Sequence, residues 1–123
     1  MWLFTPFGYF SIVEKPQDRG DGMLTVRARF AGDLEALRTR HLPTLGAVRY
    51  DPTHNDYAYR ARAPKADVAQ AIAATVAAID YENFKDEVSH VQGHARSDIY
   101  LQVWSVLKRA QDALTRIVRQ SGS

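Results

Sequence analysis

The chain has 123 residues, of which 46% are hydrophobic and 24% are charged, proportions typical of one globular domain and unlike those of a disordered chain. Cysteine is absent, which excludes disulfides, thiolate metal sites and catalysis by a thiol. The formal net charge is only +2 at neutral pH, so a charged surface has to come from the distribution of the charges and not from their sum.

No run of apolar residues approaches the roughly 20 that a membrane span needs. The apolar start at Trp2 follows no basic segment, unlike the start of a secretory signal. We therefore expect a cytoplasmic protein with no membrane partner. It is predicted to form a single α+β domain over residues 1–119, followed by a flexible tail over residues 120–123.

The first predicted structure in chain order is a hairpin. Pro6 withholds a backbone donor, so we expect the first strand to begin after it and to run through Tyr9–Glu14. Lys15–Gly22 has the composition of a loop. Leu24–Phe30 alternates apolar and polar residues, which predicts a central strand whose even-numbered residues face the core.

A short helix and a second hairpin are predicted next. Asp33 suits the N-cap of the helix, and Pro43 ends it. Two strands follow, Ala47–Tyr50 and Tyr57–Arg62, joined by turn residues over Asp51–Asp56. The chain thus predicts two hairpins, each followed by a helix.

The second half of the chain is predicted to be helical. Pro64 suits the start of a helix over Lys65–Ile79, and either Asp80 or Asn83 caps a short turn after it. A long last helix is expected over about Ser97–Val118. The order ββαββα predicts an α+β fold with a four-stranded antiparallel sheet, helices on one face, and a long C-terminal helix.

Three sequence blocks carry a resemblance to a known family: Trp2–Ser11, Ile79–Lys85 and His94–Trp104. Together they resemble a family of small bacterial proteins that share the patterns W-x-F-T-x-x-G-x-F-S, I-D-Y-x-N-F-K and H-x-R-x-x-I-Y-x-x-V-W. The resemblance implies a single bacterial domain. The family has no established activity, so the resemblance implies no catalytic residue.

Arginines recur two residues apart on two of the predicted strands, and a third strand carries another. If the even-numbered residues of the central strand face the core, these arginines emerge together on the opposite face of the sheet. The guanidinium group matches phosphate and carboxylate geometry, and a tyrosine adds a stacking platform. The predicted binding surface consists of Arg27, Arg29, Arg49, Arg60, Arg62 and Tyr57.

A second interpretation of the arginines stays open. An acidic segment precedes the last helix and contains Asp80, Glu82, Asp86 and Glu87. If this segment folds across the sheet, the arginines form ion pairs within the chain or between subunits, because ion-pair networks give the same sequence pattern.

The last helix is apolar over more than half of its circumference. The stripe from Ile99 to Ile117 is expected to form core, and further apolar residues widen it. Tyr100, Trp104 and Leu107 are the predicted interface residues. A symmetric homodimer, or a complex with a partner protein, would bury them.

His90, His94 and Asp98 are spaced four residues apart, so a continuous helix would place them on one face as metal ligands. Gly93 argues against a continuous helix, and we predict no metal, no cofactor and no catalytic residue. The favoured function is therefore a non-enzymatic protein-binding or regulatory module. The alternative is nucleic-acid or nucleotide binding by the arginine face, and a small metal-dependent enzyme is the third hypothesis.

Overall fold

Five antiparallel strands and two helices form the first of two structural units in the computed structural model. The model describes residues 1–53 and 56–122, and the units are Met1–Tyr81 and Glu82–Ser123. The strands of the first unit are β1 (Trp2–Thr5), β2 (Gly8–Val13), β3 (Met23–Ala28), β4 (Arg49–Tyr50) and β5 (Tyr59–Pro64). They are ordered β1-β2-β3-β5-β4 in the sheet, and the helices of this unit are α1 (Ala31–Arg40) and α2 (Lys65–Ala77).

The predicted α+β class, with an antiparallel sheet and a long C-terminal helix, is confirmed. The predicted number of four strands is wrong, because residues before Pro6 form a strand of their own. Pro6 lies in the turn of a tight hairpin in which Thr5 pairs with Gly8. The Thr5 hydroxyl donates to the Gly8 carbonyl at 2.8 Å and accepts from the Phe7 amide at 3.3 Å. A proline at this turn position needs no ladder donor, so it does not prevent pairing on either side.

The core of the first unit lies on the face of the sheet that carries the even-numbered residues of β3. Val26 and Ala28 are fully buried. Helix α1 packs against β2, β3 and β5, and α2 packs against β3 and β5. The other buried apolar residues of these elements include Phe10, Ile12, Leu34, Leu37, Ala61, Ala63, Val68 and Ala71. The predicted alternation is therefore confirmed for Val26 and Ala28. It is wrong for Phe30, because β3 ends at Ala28 and Phe30 is 50% exposed.

Asp33 is not the N-cap of α1, as the sequence suggested. The helix begins at Ala31 after Phe30, and Asp33 lies inside its first turn. The Asp33 carboxylate accepts a hydrogen bond from the Tyr9 amide at 3.1 Å, and the residue is buried. The Asp33 carboxylate thus stabilises the start of β2, whereas an N-cap side chain would stabilise the start of α1.

The predicted second hairpin is shorter than expected. Strand β4 has only two residues, and β5 begins at Tyr59, so that Tyr57 precedes the strand. Of the predicted turn over 51–56, His54 and Asn55 lie outside the described residues.

The second unit contains α3 (Phe84–Gln92) and α4 (His94–Ser121). The Asn83 side chain caps α3 by accepting from the Asp86 amide at 2.9 Å, which identifies the cap among the two predicted residues. Gly93 joins the helices with φ at +94°, a conformation that disfavours any residue with a side chain. Val88 is fully buried in this unit. The Ser89 hydroxyl of α3 forms a hydrogen bond of 2.7 Å with the Ser97 hydroxyl of α4.

Candidate functional site

Three of the predicted arginines form a row across neighbouring strands. Arg27 of β3 lies opposite Arg60 of β5, and Arg60 lies opposite Arg49 of β4. Residues directly opposite each other in an antiparallel pair place their side chains on the same face. Arg27, Arg60 and Arg49, named here the arginine row, therefore share the face opposite Val26 and Ala28.

The other two predicted arginines lie beside the arginine row. Arg62 of β5 pairs with Thr25 of β3. This pair lies two residues along each strand from the Arg27–Arg60 pair, on the same face of the sheet. Arg29 follows the end of β3, and its guanidinium carbon lies 4.7 Å from the centre of the Tyr57 ring. The guanidinium carbon of Arg27 lies 4.8 Å from the same ring centre. The structure thus brings together the six residues of the predicted surface.

Asp56 supplies the negative charge that faces the arginine row. Its carboxylate lies 3.5 Å from Arg27 and 3.5 Å from Arg60, and its backbone carbonyl accepts a hydrogen bond from Arg29. The pKa of Asp56 is lowered, chiefly by the hydrogen bond from the Tyr57 amide. Desolvation opposes this effect less strongly, and the charges of Arg27 and Arg60 lower the pKa further. Asp56 therefore stays ionised and lies among several cations.

Asp18 pairs with Arg62. The residue is 1% exposed, and its carboxylate accepts from the Arg62 Nε at 2.7 Å. Asp21 adds a longer contact to the same guanidinium at 3.4 Å. Burial alone would raise the pKa of Asp18, but hydrogen bonds from the Lys15 amide, the Thr25 hydroxyl and Arg62 lower it overall. The pKa of Arg62 is raised, chiefly by the hydrogen bond with Asp18.

Two tyrosines meet at the edge of the arginine row. The hydroxyls of Tyr9 and Tyr57 are 2.8 Å apart, and Tyr57 is buried. Burial, followed by the hydrogen bond with Tyr57, raises the pKa of Tyr9 to about 12, although Arg29 and Arg27 act in the opposite direction. The Tyr9 phenol therefore stays protonated at neutral pH.

Sequence reasoning missed the three aspartates, because it searched for acidic residues only within the strands. Asp18 and Asp21 come from the predicted loop before β3, and Asp56 comes from the turn before β5. One local signal was present, since Asp56 lies four residues before Arg60. No local signal marked Asp18, which is 44 residues from its partner Arg62.

A cleft of about 620 Å³ opens beside β4 in the first unit. Among the described residues, its charged lining consists of Arg49 and Arg60 of the arginine row, Arg62, and one carboxylate, Asp51. This volume lies within the range of roughly 300–1,000 Å³ that is typical of small-molecule sites. The cleft thus combines a suitable size with several guanidinium groups.

The predicted interface residues of α4 divide into two groups. Tyr100 is buried, and its ring stacks on Phe84 of α3 with centroids 5.9 Å apart. Trp104 is 59% exposed and Leu107 is 65% exposed. Tyr100 therefore packs within the second unit, whereas Trp104 and Leu107 present apolar surface.

The histidines considered as metal ligands lie on two different helices. His90 belongs to α3 and His94 to α4, because Gly93 separates the helices. Within residues 1–53 and 56–122, no group of three His, Cys, Asp or Glu side chains is placed to hold a metal ion. The same described residues contain no helix with the length and apolar character that crossing a membrane would require.

Comparison of the chain with protein-family models, with curated proteins and with solved structures gave no match. The resemblance to small bacterial proteins, the cytoplasmic location and the lack of catalysis therefore stay predictions. The arginine-bearing face of the sheet and the exposed side of α4 are therefore the surfaces on which a function can rest.

Proposed function

We propose that this protein is a non-enzymatic binding module, and that its C-terminal helix associates with a second copy of the same chain. The observation that carries the proposal is the exposed apolar surface of α4. Eight large apolar side chains of this helix are between 38% and 65% exposed: Ile99, Leu101, Trp104, Val106, Leu107, Leu114, Ile117 and Val118. Contiguous exposed apolar surface typically marks an interaction site.

The spacing along α4 supports pairing between helices. Apolar residues recur at alternating steps of three and four, in the order Tyr100, Val103, Leu107, Ala110, Leu114 and Ile117. This 3.5-residue period is that of a helix that packs against a parallel or antiparallel neighbour along a seam. Trp104, Val106 and Val118 flank the seam and widen it, as expected for a helix with more than one neighbour.

Within the second unit, α3 is too short to cover this seam. It has 9 residues and α4 has 28, so the two helices are roughly 13 Å and 42 Å long at 1.5 Å per residue. Phe84 and Val88 of α3 belong to the packed part of this hairpin, which includes Tyr100 of α4. The stretch from Trp104 onward extends beyond the reach of α3.

The charges of α4 favour a second copy as the partner. Its charged residues beyond Trp104 lie away from the seam and its flanks: Lys108, Arg109, Asp112, Arg116 and Arg119. Two identical helices can therefore bring their seams together without burying a charge. They also place no like charges opposite each other at the flanking positions, where such charges would oppose self-association.

Sedimentation velocity of the full chain tests this proposal. We expect a dimer for the wild type and a monomer for the Leu107→Glu/Leu114→Glu double variant. Full burial of a leucine contributes roughly 1.5–3 kcal/mol, and these two side chains are 65% and 62% exposed. Because a symmetric dimer loses four such contacts, the dissociation constant should rise by more than about a hundredfold.

Gln102→Glu/Thr115→Glu is the matched control, because it adds the same two charges to exposed positions of α4 away from the seam. It should sediment as the wild type does, and all three proteins should show the same helix content by circular dichroism. A wild type that stays monomeric at about 100 µM, or a double variant that still dimerises, would contradict the proposal.

The second binding surface of the proposed module is the arginine face, which consists of the arginine row together with Arg29, Arg62 and Tyr57. Nucleic-acid binding is the alternative function of this face. The positive charge of the arginine row supports an anionic partner. An extended polyanion is less well supported, since Asp18, Asp21 and Asp56 lie among the arginines and would repel neighbouring phosphates. The charge pattern of this face thus fits a compact anion better than a polymer.

A further inference from the structure

The arginine row brings like charges into direct opposition. Arg27 pairs with Arg60, and Arg60 pairs with Arg49. Like charges directly opposite each other on neighbouring strands destabilise a sheet. Among the residues that the structure describes, Asp56 is the carboxylate that forms ion pairs with this row. A row of three guanidinium groups with one facing carboxylate leaves an excess of positive charge.

The same row holds hydrogen-bond donors that the described residues do not match. The Nε atoms of Arg27 and Arg60 are buried and have no hydrogen-bond partner. The Arg49 side chain is exposed and, within the described part of the chain, forms neither a hydrogen bond nor an ion pair. An unmatched buried donor costs free energy, so such a group in a folded protein calls for a ligand or another explanation.

We propose that the cleft beside β4 binds the phosphate group of a small phosphorylated molecule, held by Arg49 and Arg60. Both residues line the cleft, together with Arg62. The planar guanidinium group can donate two parallel hydrogen bonds to phosphate oxygens. This inference concerns the first unit and does not depend on association through α4.

A phosphate monoester fits the charge of the cleft better than a single carboxylate does. It carries between about −1.5 and −2 charges at neutral pH, so that it compensates two guanidinium groups. Arg62 is already engaged by Asp18 and Asp21. Asp56 pairs with Arg27 and Arg60, so the three guanidinium groups of the row keep an excess of two positive charges. Asp51 also lines the cleft, so the phosphate has to lie on the Arg49 and Arg60 side of it. A volume of about 620 Å³ accommodates a small molecule, and the surrounding aspartates disfavour a polymer.

Isothermal titration calorimetry of the full chain tests the proposal with inorganic phosphate, adenosine monophosphate, acetate and a single-stranded oligonucleotide. We expect phosphate and adenosine monophosphate to bind. The Arg49→Gln variant should bind both at least about tenfold more weakly, because hydrogen bonds between charged groups contribute about that factor or more. Arg49 has an exposed side chain without described partners, so the variant should melt as the wild type does.

Arg109→Gln is the matched control, since it removes the same charge from an exposed position of α4 in the second unit, and it should bind as the wild type does. The proposal would be overturned if neither phosphate nor adenosine monophosphate bound. It would also be overturned if the Arg49→Gln and Arg109→Gln variants bound these ligands with equal affinity. Acetate that binds as tightly as phosphate would make carboxylates the ligand class instead. An oligonucleotide that binds a hundredfold more tightly than adenosine monophosphate would identify a nucleic-acid surface.

Discussion

Replacement of Asp18 by asparagine is expected to destabilise the first unit by about 2–4 kcal/mol. The carboxylate has three donors in place. One oxygen accepts from the Lys15 amide at 2.9 Å and from the Thr25 hydroxyl at 2.7 Å, and the other accepts from the Arg62 Nε at 2.7 Å. An asparagine side chain has one acceptor oxygen, so either the Lys15 amide or Arg62 would face an NH₂ group.

The magnitude follows from the exposure of the two partners. Breaking a buried ion pair by removing one partner costs roughly 3–5 kcal/mol. The Asp18 side chain is fully buried, but the Arg62 side chain is 37% exposed, so water can solvate part of the orphaned guanidinium group. We therefore lower the expected loss to about 2–4 kcal/mol, which shifts the melting temperature of a unit of this size by roughly 10–30 °C.

Urea denaturation followed by circular dichroism measures this loss, with Asp21→Asn as the matched control. Asp21 contacts the same guanidinium at 3.4 Å but is 62% exposed, and exposed ion pairs contribute only about 0–1 kcal/mol. Equal losses of stability in the two variants would refute the reasoning, because burial of Asp18 would then make no difference.

The pH dependence gives an independent check on the same contact. The pKa of Asp18 is lower in the folded protein than in the unfolded chain, where it is about 3.9. As the pH falls, the unfolded state therefore binds more protons than the folded state does, and the free energy of unfolding decreases. The difference in the free energy of unfolding between the wild type and Asp18→Asn should be constant at pH values above the unfolded pKa. It should shrink as the pH falls through the folded pKa. A difference that grows on acidification would contradict this.

Two further predictions concern the turn of the second unit and the tyrosine pair. Gly93→Ala should destabilise the α3–α4 unit by about 1–3 kcal/mol in urea denaturation, because Gly93 has a φ of +94° and a side chain there is strained. Gly32→Ala, at a position of α1 with open space around it, is the control and should not be destabilised. Tyr57→Phe should lower the Tyr9 pKa from about 12 toward its ordinary value, measured by NMR titration of the Tyr9 ring, and an unchanged value would contradict the role of the hydroxyl pair.

Alternation along the central strand made the buried face of the sheet predictable. Burial of Val26 and Ala28 requires that Arg27 lie on the opposite face, because side chains alternate along a strand. The strand number was not predictable by the same means. Pro6 indicates a break in hydrogen bonding, and sequence alone does not distinguish a break before the first strand from a turn within a hairpin.

The counter-charges of the arginine face could not be predicted because they come from loops. A loop can place Asp18 beside Arg62 only after β3 and β5 have paired, and no periodic pattern records that distance. The apolar pattern of α4 was predictable, but the packing of Tyr100 against Phe84 depends on the turn at Gly93. Local patterns therefore predicted which residues share a face, while the contacts that neutralise or cover those residues depended on tertiary structure.

The two proposed surfaces differ in their physical basis, so salt separates them. Association through α4 would bury apolar side chains and should change little with ionic strength. The proposed phosphate binding by Arg49 and Arg60 would be electrostatic, and the screening length falls from about 10 Å at 0.1 M salt to about 3 Å at 1 M. If both activities weakened together with added salt, the arginine-bearing face would have to contribute to self-association as well, and phosphate would then compete with dimer formation.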